Sequence, residues 1–188
     1  PFLLGYLRQA MLAEGQISSR EVTLLYELAS SVGSGCIVEI GSYRGRSAVV
    51  LGLGSLDHHK VPVFAIEPHE ELSDPDAGEY GPKDRVAFFR NVLRAGVGEI
   101  VRLVNLPSAD VAKIWRRPIG LLWIDGGYTY EAVKTDFDGW SPFVVEGGMI
   151  AFHDSQQEGP RRLIRQVTSD GKGEIVQRVD SITVLRKL

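Results

Sequence analysis

What most constrains this chain is a unit that repeats in kind: a short, unbroken apolar run, a turn rich in Gly or Asp, and then an amphipathic stretch. The first copy runs from the strand-like Cys36 to Ile40 through Gly41-Ser42-Tyr43-Arg44-Gly45 into a helical segment, Ser47 to Leu53. Further strands are expected at Val61 to Ile66, Ile100 to Val104, Leu121 to Ile124 and Met149 to His153. Between them, helices are expected at Asp84 to Arg94 with Phe88 and Phe89 inward, at Pro107 to Trp115, and at Tyr130 to Trp140, stopped by Ser141-Pro142. Runs that are apolar throughout, rather than alternating, belong to strands buried on both faces. The chain is therefore an α/β protein with a doubly wound, mostly parallel sheet joined by right-handed crossovers.

Two segments depart from the alternation. Before the first strand, Phe2 to Ala13 has helical spacing, and Ser18-Ser19 leads into Glu21-Val22 as a capped helix should, so residues 1–34 read as two extra helices and 35–188 as the α/β core of one domain. At the other end, Glu174 to Arg178 and Ser181 to Leu185 are separated only by Val179-Asp180, which suits antiparallel pairing at the sheet edge. Counting both gives a seven-stranded sheet. Pro68 to Pro82 reads as the one long loop, leaving a strand end where it could cover a site.

Composition excludes several classes. With 21 Lys and Arg against 24 Asp and Glu, the chain carries a formal charge of -3, which gives no general attraction to phosphate backbones. No nucleic acid partner is expected. Nothing approaches the roughly 18 consecutive apolar residues of a membrane span, so no membrane partner is expected and a cytoplasmic location is the simplest reading. The lone Cys36 heads an apolar strand and reads as a small core residue; Trp123 and Trp140 read as packing residues, while His58, His59 and the Arg161-Arg162-Arg165 face read as solvated. His69, beside Glu67, is either a cofactor contact or a mobile surface residue.

Chemistry should gather at the carboxyl ends of the parallel strands. Glu39 is an acid inside an apolar strand, directly before the glycine turn, where it can accept from an ammonium group. Glu67 ends the second strand, where a carboxylate can accept both hydroxyls of a ribose. The Gly-x-x-x-Gly spacing of Gly41 and Gly45 is not the dinucleotide fingerprint. Asp125, His153 and Asp154 end what should be neighbouring strands, and could bind a divalent cation that activates a hydroxyl. Without a metal, His153 would be the general base, its ordinary pKa near 6.5 suiting proton removal at neutral pH.

The stretch Glu39 to Ser47, Glu67, Leu106-Pro107-Ser108-Ala109-Asp110 and Trp123 to Glu131 resemble, in order and spacing, the class I S-adenosylmethionine-dependent methyltransferases. Asp136-Phe137, Trp140-Ser141-Pro142 and Gly147 to Asp154 look like their small-molecule O-methyltransferase branch, which includes macrocin and cephalosporin-biosynthesis relatives. The resemblance implies a Rossmann-like sheet with an antiparallel C-terminal strand. It also implies a cofactor site made of Glu39, Gly41, Ser42, Tyr43, Gly45, Ser47, Glu67, Pro68, Ser108, Ala109, Asp125 and Gly126. The turn would carry the methionine moiety, and Ser108-Ala109 the adenine edge.

Methyl transfer from S-adenosylmethionine to a hydroxyl of a sugar, polyketide or phenolic small molecule is then the expected activity, with Asp125 and His153 catalytic. Cation-dependent relatives place carboxylate or amide ligands at the matching positions. Many read Asp-Gly-Asp-His where this chain reads Asp125-Gly126-Gly127-Tyr128, so Mg²⁺ dependence through Asp125, His153 and Asp154 stays open. A homodimer through the N-terminal helices is expected by analogy. The rival readings are a nicotinamide-dependent oxidoreductase on a similar sheet and a non-catalytic module that keeps the cofactor pocket.

Overall fold

A computed structural model describes residues 10–74 and 78–188. Most of the helix expected over Phe2 to Ala13 lies outside the described residues; within them, residues 10–12 are helical. The chain then forms α1 (Ser19–Ser31), β1 (Cys36–Ile40), α2 (Arg46–Asp57), β2 (Val63–Ile66), β3 (Leu72–Asp74), β4 (Gly78–Tyr80), α3 (Pro82–Arg94), β5 (Val101–Val104) and α4 (Ser108–Ile114). It continues with β6 (Ile119–Ile124), α5 (Tyr130–Trp140), a 3-10 turn (Ser141–Phe143), β7 (Val144–Phe152), α6 (Glu158–Ser169), β8 (Gly173–Val179) and β9 (Ile182–Lys187).

Seven strands form one sheet in the order β5-β2-β1-β6-β7-β9-β8. β1, β2, β5, β6 and β7 are parallel, and β9 runs antiparallel to both β7 and β8. The expected C-terminal hairpin is therefore present, but its second strand is inserted between β7 and the edge rather than added outside it. Alternation along each strand sends side chains to two cores. Ile37, Leu121 and Trp123 pack with Leu25, Val49 and Phe88 from the α1–α3 side. Val38, Leu122 and Ile124 pack with Val111, Phe137, Trp140 and Ile164 from the α4–α6 side. Because each face has its own helical layer, the strands carry apolar residues at both parities.

Three local expectations are corrected. Phe88 is buried, but Phe89 is 48% exposed, since consecutive helical residues point about 100° apart and only one can face the core. The segment Pro68 to Pro82 is not a plain loop, for it holds the antiparallel pair β3–β4. The strand expected to begin at Met149 starts at Val144, and the Glu146-Gly147-Gly148 turn is an excursion within it, with Gly147 at φ +73. Cys36, Trp123 and Trp140 are buried, and His58 and His59 are exposed, as expected. Among the described residues no helix is long and apolar enough to cross a membrane.

Candidate functional site

Each parallel strand hands its last hydrogen bond to a neighbour, and this lines the expected residues along one edge. Gly41 N–H donates to the Ile66 carbonyl, Glu67 N–H to Val104, Asp125 N–H to Ile40 and His153 N–H to Ile124, at 2.8–3.1 Å. Gly41 must be glycine twice over: its φ is +83, and a Cβ there would lie 2.2 Å from the Asp125 carbonyl oxygen. Gly45 caps α2 in the left-handed region, φ +84, with Phe88 packed where a Cβ would go.

The corner between these glycines is held by groups the sequence placed there and by others it did not reveal. Glu67 accepts from Tyr43 N–H and from His69 N–H, both at 3.2 Å. His69 Nε2 bonds the Tyr43 carbonyl at 2.7 Å, and Asn105 Nδ2 donates to the Glu67 and Pro68 carbonyls at 2.8 and 2.6 Å. His69 is thus buried and locked, not a mobile surface residue. Arg44 stacks over Tyr43 and pairs with Asp84 at 2.7 Å and with Glu14. Arg46 donates to the Ala13 and Ile17 carbonyls, so the two arginines of the turn clamp residues 13–17.

Glu39 lies directly behind the corner with 0% exposure, and among the described residues neither carboxylate oxygen has a hydrogen-bond partner; nor, among them, does the buried Ser42 hydroxyl. Burial pushes the Glu39 carboxyl well above the usual carboxylate range; the nearby Ser47 hydroxyl opposes this without reaching hydrogen-bonding geometry, and the charges of Asp125 and Glu67 add to it. Buried unpaired acceptors are costly and rare, and one beside a glycine corner, near two other acids, is suited to a cationic donor from a ligand. These residues fit the amino end of S-adenosylmethionine. Glu67, with two protein donors, keeps acceptor sites for ribose hydroxyls.

At the neighbouring strand ends, His153 Nδ1 lies 2.8 Å from Asp125 Oδ1 and 3.6 Å from Asp154 Oδ2. The other ring nitrogen faces Glu21 Oε1 at 3.9 Å. Glu21 is the residue that sequence reasoning placed only in a helix cap. It does close the capping box with Ser18, yet it also accepts from Ser181 N–H at 2.9 Å and from the Ser181 hydroxyl. Burial alone would raise its carboxyl, but these bonds hold it below the ordinary value.

Burial likewise draws His153 down, and the bond and charge of Asp125, with Asp154 and Glu21, outweigh it and push the imidazole up to about 9. These carboxylates favour the protonated ring, which works against a base titrating near its ordinary 6.5. The metal reading finds no matching arrangement: among the described residues no group of three or more His, Cys, Asp or Glu is placed to hold a metal ion. Asp125, His153 and Asp154 do not fit a resident divalent cation. Asp125, Asp154 and His153 line a pocket with Gly126, Gly127, Tyr128 and Pro160. Across the edge, the Ser108 hydroxyl turns inward, donating to Asp136 at 2.7 Å and accepting from Trp140 Nε1 at 2.8 Å, while Ala109 is exposed.

This architecture recurs in solved structures. An O-methyltransferase from Bacillus cereus in complex with SAH superposes with TM-score 0.72 at 17% identity, over 97% of this chain and 91% of that one. SAH-bound PaMTH1 from Podospora anserina matches with TM-score 0.72 at 17% identity, over 99% and 87%. TomG from Streptomyces achromogenes, an O-methyltransferase of tomaymycin synthesis in complex with SAM, matches with TM-score 0.70 at 16% identity, over 97% and 89%. At such identities these likenesses establish the Rossmann-like methyltransferase fold. Residues 38–155, the span from β1 to just beyond His153 and Asp154, match the family model described as a methyltransferase domain, and the chain belongs to that methyltransferase family.

Proposed function

We propose that this protein transfers a methyl group from S-adenosylmethionine to a hydroxyl of a small molecule. The observation that carries the reading is the unpaired Glu39 carboxyl behind the glycine corner, with Glu67 one strand away. Bound S-adenosylmethionine supplies an electrophilic methyl group, open to in-line displacement by an acceptor oxygen. Glu39 accepts from the cofactor's amino group and Glu67 from its ribose, and the acids around the corner complement a positive sulfonium. In the pocket beyond, burial raises the Asp125 carboxyl and makes it a better proton acceptor for the substrate hydroxyl, while His153 holds it in place and partly offsets that burial. Holding oxygen and methyl in line turns an encounter of two molecules into a step within one complex.

A thermal-shift titration separates this reading from its rivals. At about a hundredfold excess over Kd, S-adenosylhomocysteine should raise the unfolding midpoint by roughly 5 to 10 °C, with no response to NAD. Stabilisation by NAD alone would favour the oxidoreductase. A parallel assay with a panel of hydroxylated sugars and phenols then tests turnover, and a module without catalysis would bind the cofactor and methylate none of them. Glu67→Ala should weaken S-adenosylhomocysteine binding by roughly 1 to 2 kcal/mol, the scale for losing charge-assisted hydrogen bonds from a partly exposed carboxylate. Unchanged affinity by calorimetry would reject its ribose role.

A further inference from the structure

α1 opens on a capping box in which Glu21 returns one carboxylate oxygen, Oε2, to the Ser18 N–H at 2.8 Å. A glutamine serves such a cap as well as a glutamate, and the carboxylate's charge is not needed for it. Here the Glu21 side chain is only 4% exposed, and its other oxygen reaches out of the helix. Oε1 accepts from Ser181 N–H at 2.9 Å and from the Ser181 hydroxyl, in the turn between β8 and β9, and it faces His153 Nε2 at 3.9 Å. That separation is within ion-pair range and too long for a hydrogen bond.

Helix and turn are themselves tied together. Ser18 Oγ and Arg20 Nη1 each donate to the Asp180 carboxylate at 2.7 Å, so Glu21 has little freedom to withdraw from His153. The imidazole is gripped on three sides: Asp125 Oδ1 lies 2.8 Å from Nδ1, Glu21 faces Nε2, and the Trp123 ring packs with its centre 5.6 Å away. Each ring nitrogen is thereby turned to a carboxylate. A flip of the ring would put carbons where the nitrogens are, and a negative charge fixed behind Nε2 opposes it. The charge that the cap does not need has this one use.

We infer that Glu21 is a positioning residue for methyl transfer: it fixes the His153 ring from the α1 side, and through that ring holds Asp125 in the orientation that meets the acceptor hydroxyl. This rests on the role proposed for Asp125 above. Glu21 does not itself line the pocket.

The test uses the full chain as Glu21→Gln, Ser18→Ala, His153→Asn and the double variant Glu21→Gln/His153→Asn, with the unfolding midpoint of each recorded. Nitrogen-15 labelling of the four histidines gives ring signals by NMR, those of His153 being the ones that His153→Asn removes. Glu21→Gln should shift or broaden them, and Ser18→Ala, which weakens the cap but keeps the backbone donor to Glu21, should not. On an acceptor that turns over, Glu21→Gln should lower kcat by about 10- to 100-fold while the acceptor KM and the affinity for S-adenosylhomocysteine stay within about threefold. The double variant should be no slower than His153→Asn, because a residue acting through the ring has nothing left to position.

Unchanged ring signals in Glu21→Gln, additive losses in the double variant, or an equal loss of kcat in Ser18→Ala at a matched midpoint overturn the inference alone. Where no acceptor turns over, the ring signals decide. If Glu21→Gln does not fold, Glu21→Asp, which draws the charge back by one methylene, takes its place with the same outcomes. Failure of the unmodified protein to bind S-adenosylhomocysteine overturns the proposed function and this inference together.

Discussion

Glu39→Met is expected to make the ligand-free protein more stable while removing most of its cofactor affinity. The carboxyl is fully buried with both oxygens unpaired among the described residues, so it contributes the cost of a desolvated polar group and returns no hydrogen bond. Methionine is unbranched and of similar volume, and should gain about 1 to 3 kcal/mol in the ligand-free state. Loss of the amino-group acceptor should weaken S-adenosylhomocysteine binding by about 10- to 100-fold, the scale of a hydrogen bond to a charged group.

The sign of the pH effect is also fixed. A carboxyl raised above its ordinary pKa binds more protons folded than unfolded, so its contribution falls as pH rises. The advantage of the methionine variant should therefore be larger at pH 8 than at pH 4. Urea unfolding across that range checks the stability, and calorimetry the affinity. A variant that binds as tightly as the parent would remove the main support for the proposed function.

The second large effect concerns His153. Its imidazole is pushed from the ordinary 6.5 up to about 9 by Asp125, Asp154 and Glu21, against the effect of burial. For a base whose folded pKa is raised, the added stability is fully present below about 6.5 and is lost as pH climbs through about 9. The amount is about 3 kcal/mol on the conversion of pKa shift to free energy. His153→Asn should remove this increment, so the variant should be well below the parent at pH 6 and converge toward it near pH 9.5. Parallel stability curves for parent and variant would show that the ring carries no such charge in the folded protein. If the ring stays protonated, methyl transfer needs no neutral imidazole: kcat should stay flat between about pH 6 and 8, where a histidine base titrating at its ordinary pKa would make it rise.

Legibility differed sharply between the two halves of the site. Glu39, Gly41, Gly45 and Glu67 could be found by reading along the chain, because each marks a strand end with a local signature: an acid interrupting or closing an apolar run, or a glycine in a turn of positive φ. The alternation of apolar runs and amphipathic helices likewise determined a mostly parallel α/β sheet covered by helices on both faces, since a strand apolar at both parities needs cover on both faces. The sequence alone did not show that Glu21, 160 residues from Ser181, would bond it and face His153. Nor did it show that Ser108 would spend its hydroxyl on Asp136, that His69 would be buried against Tyr43, or that β9 would insert between β7 and β8. Those pairings join separate elements across crossovers, and only the packed sheet brings them within hydrogen-bonding distance. The resting charge of His153 has the same origin: the residue type sets a pKa near 6.5, but the carboxylates gathered around it by the tertiary fold decide which way it moves.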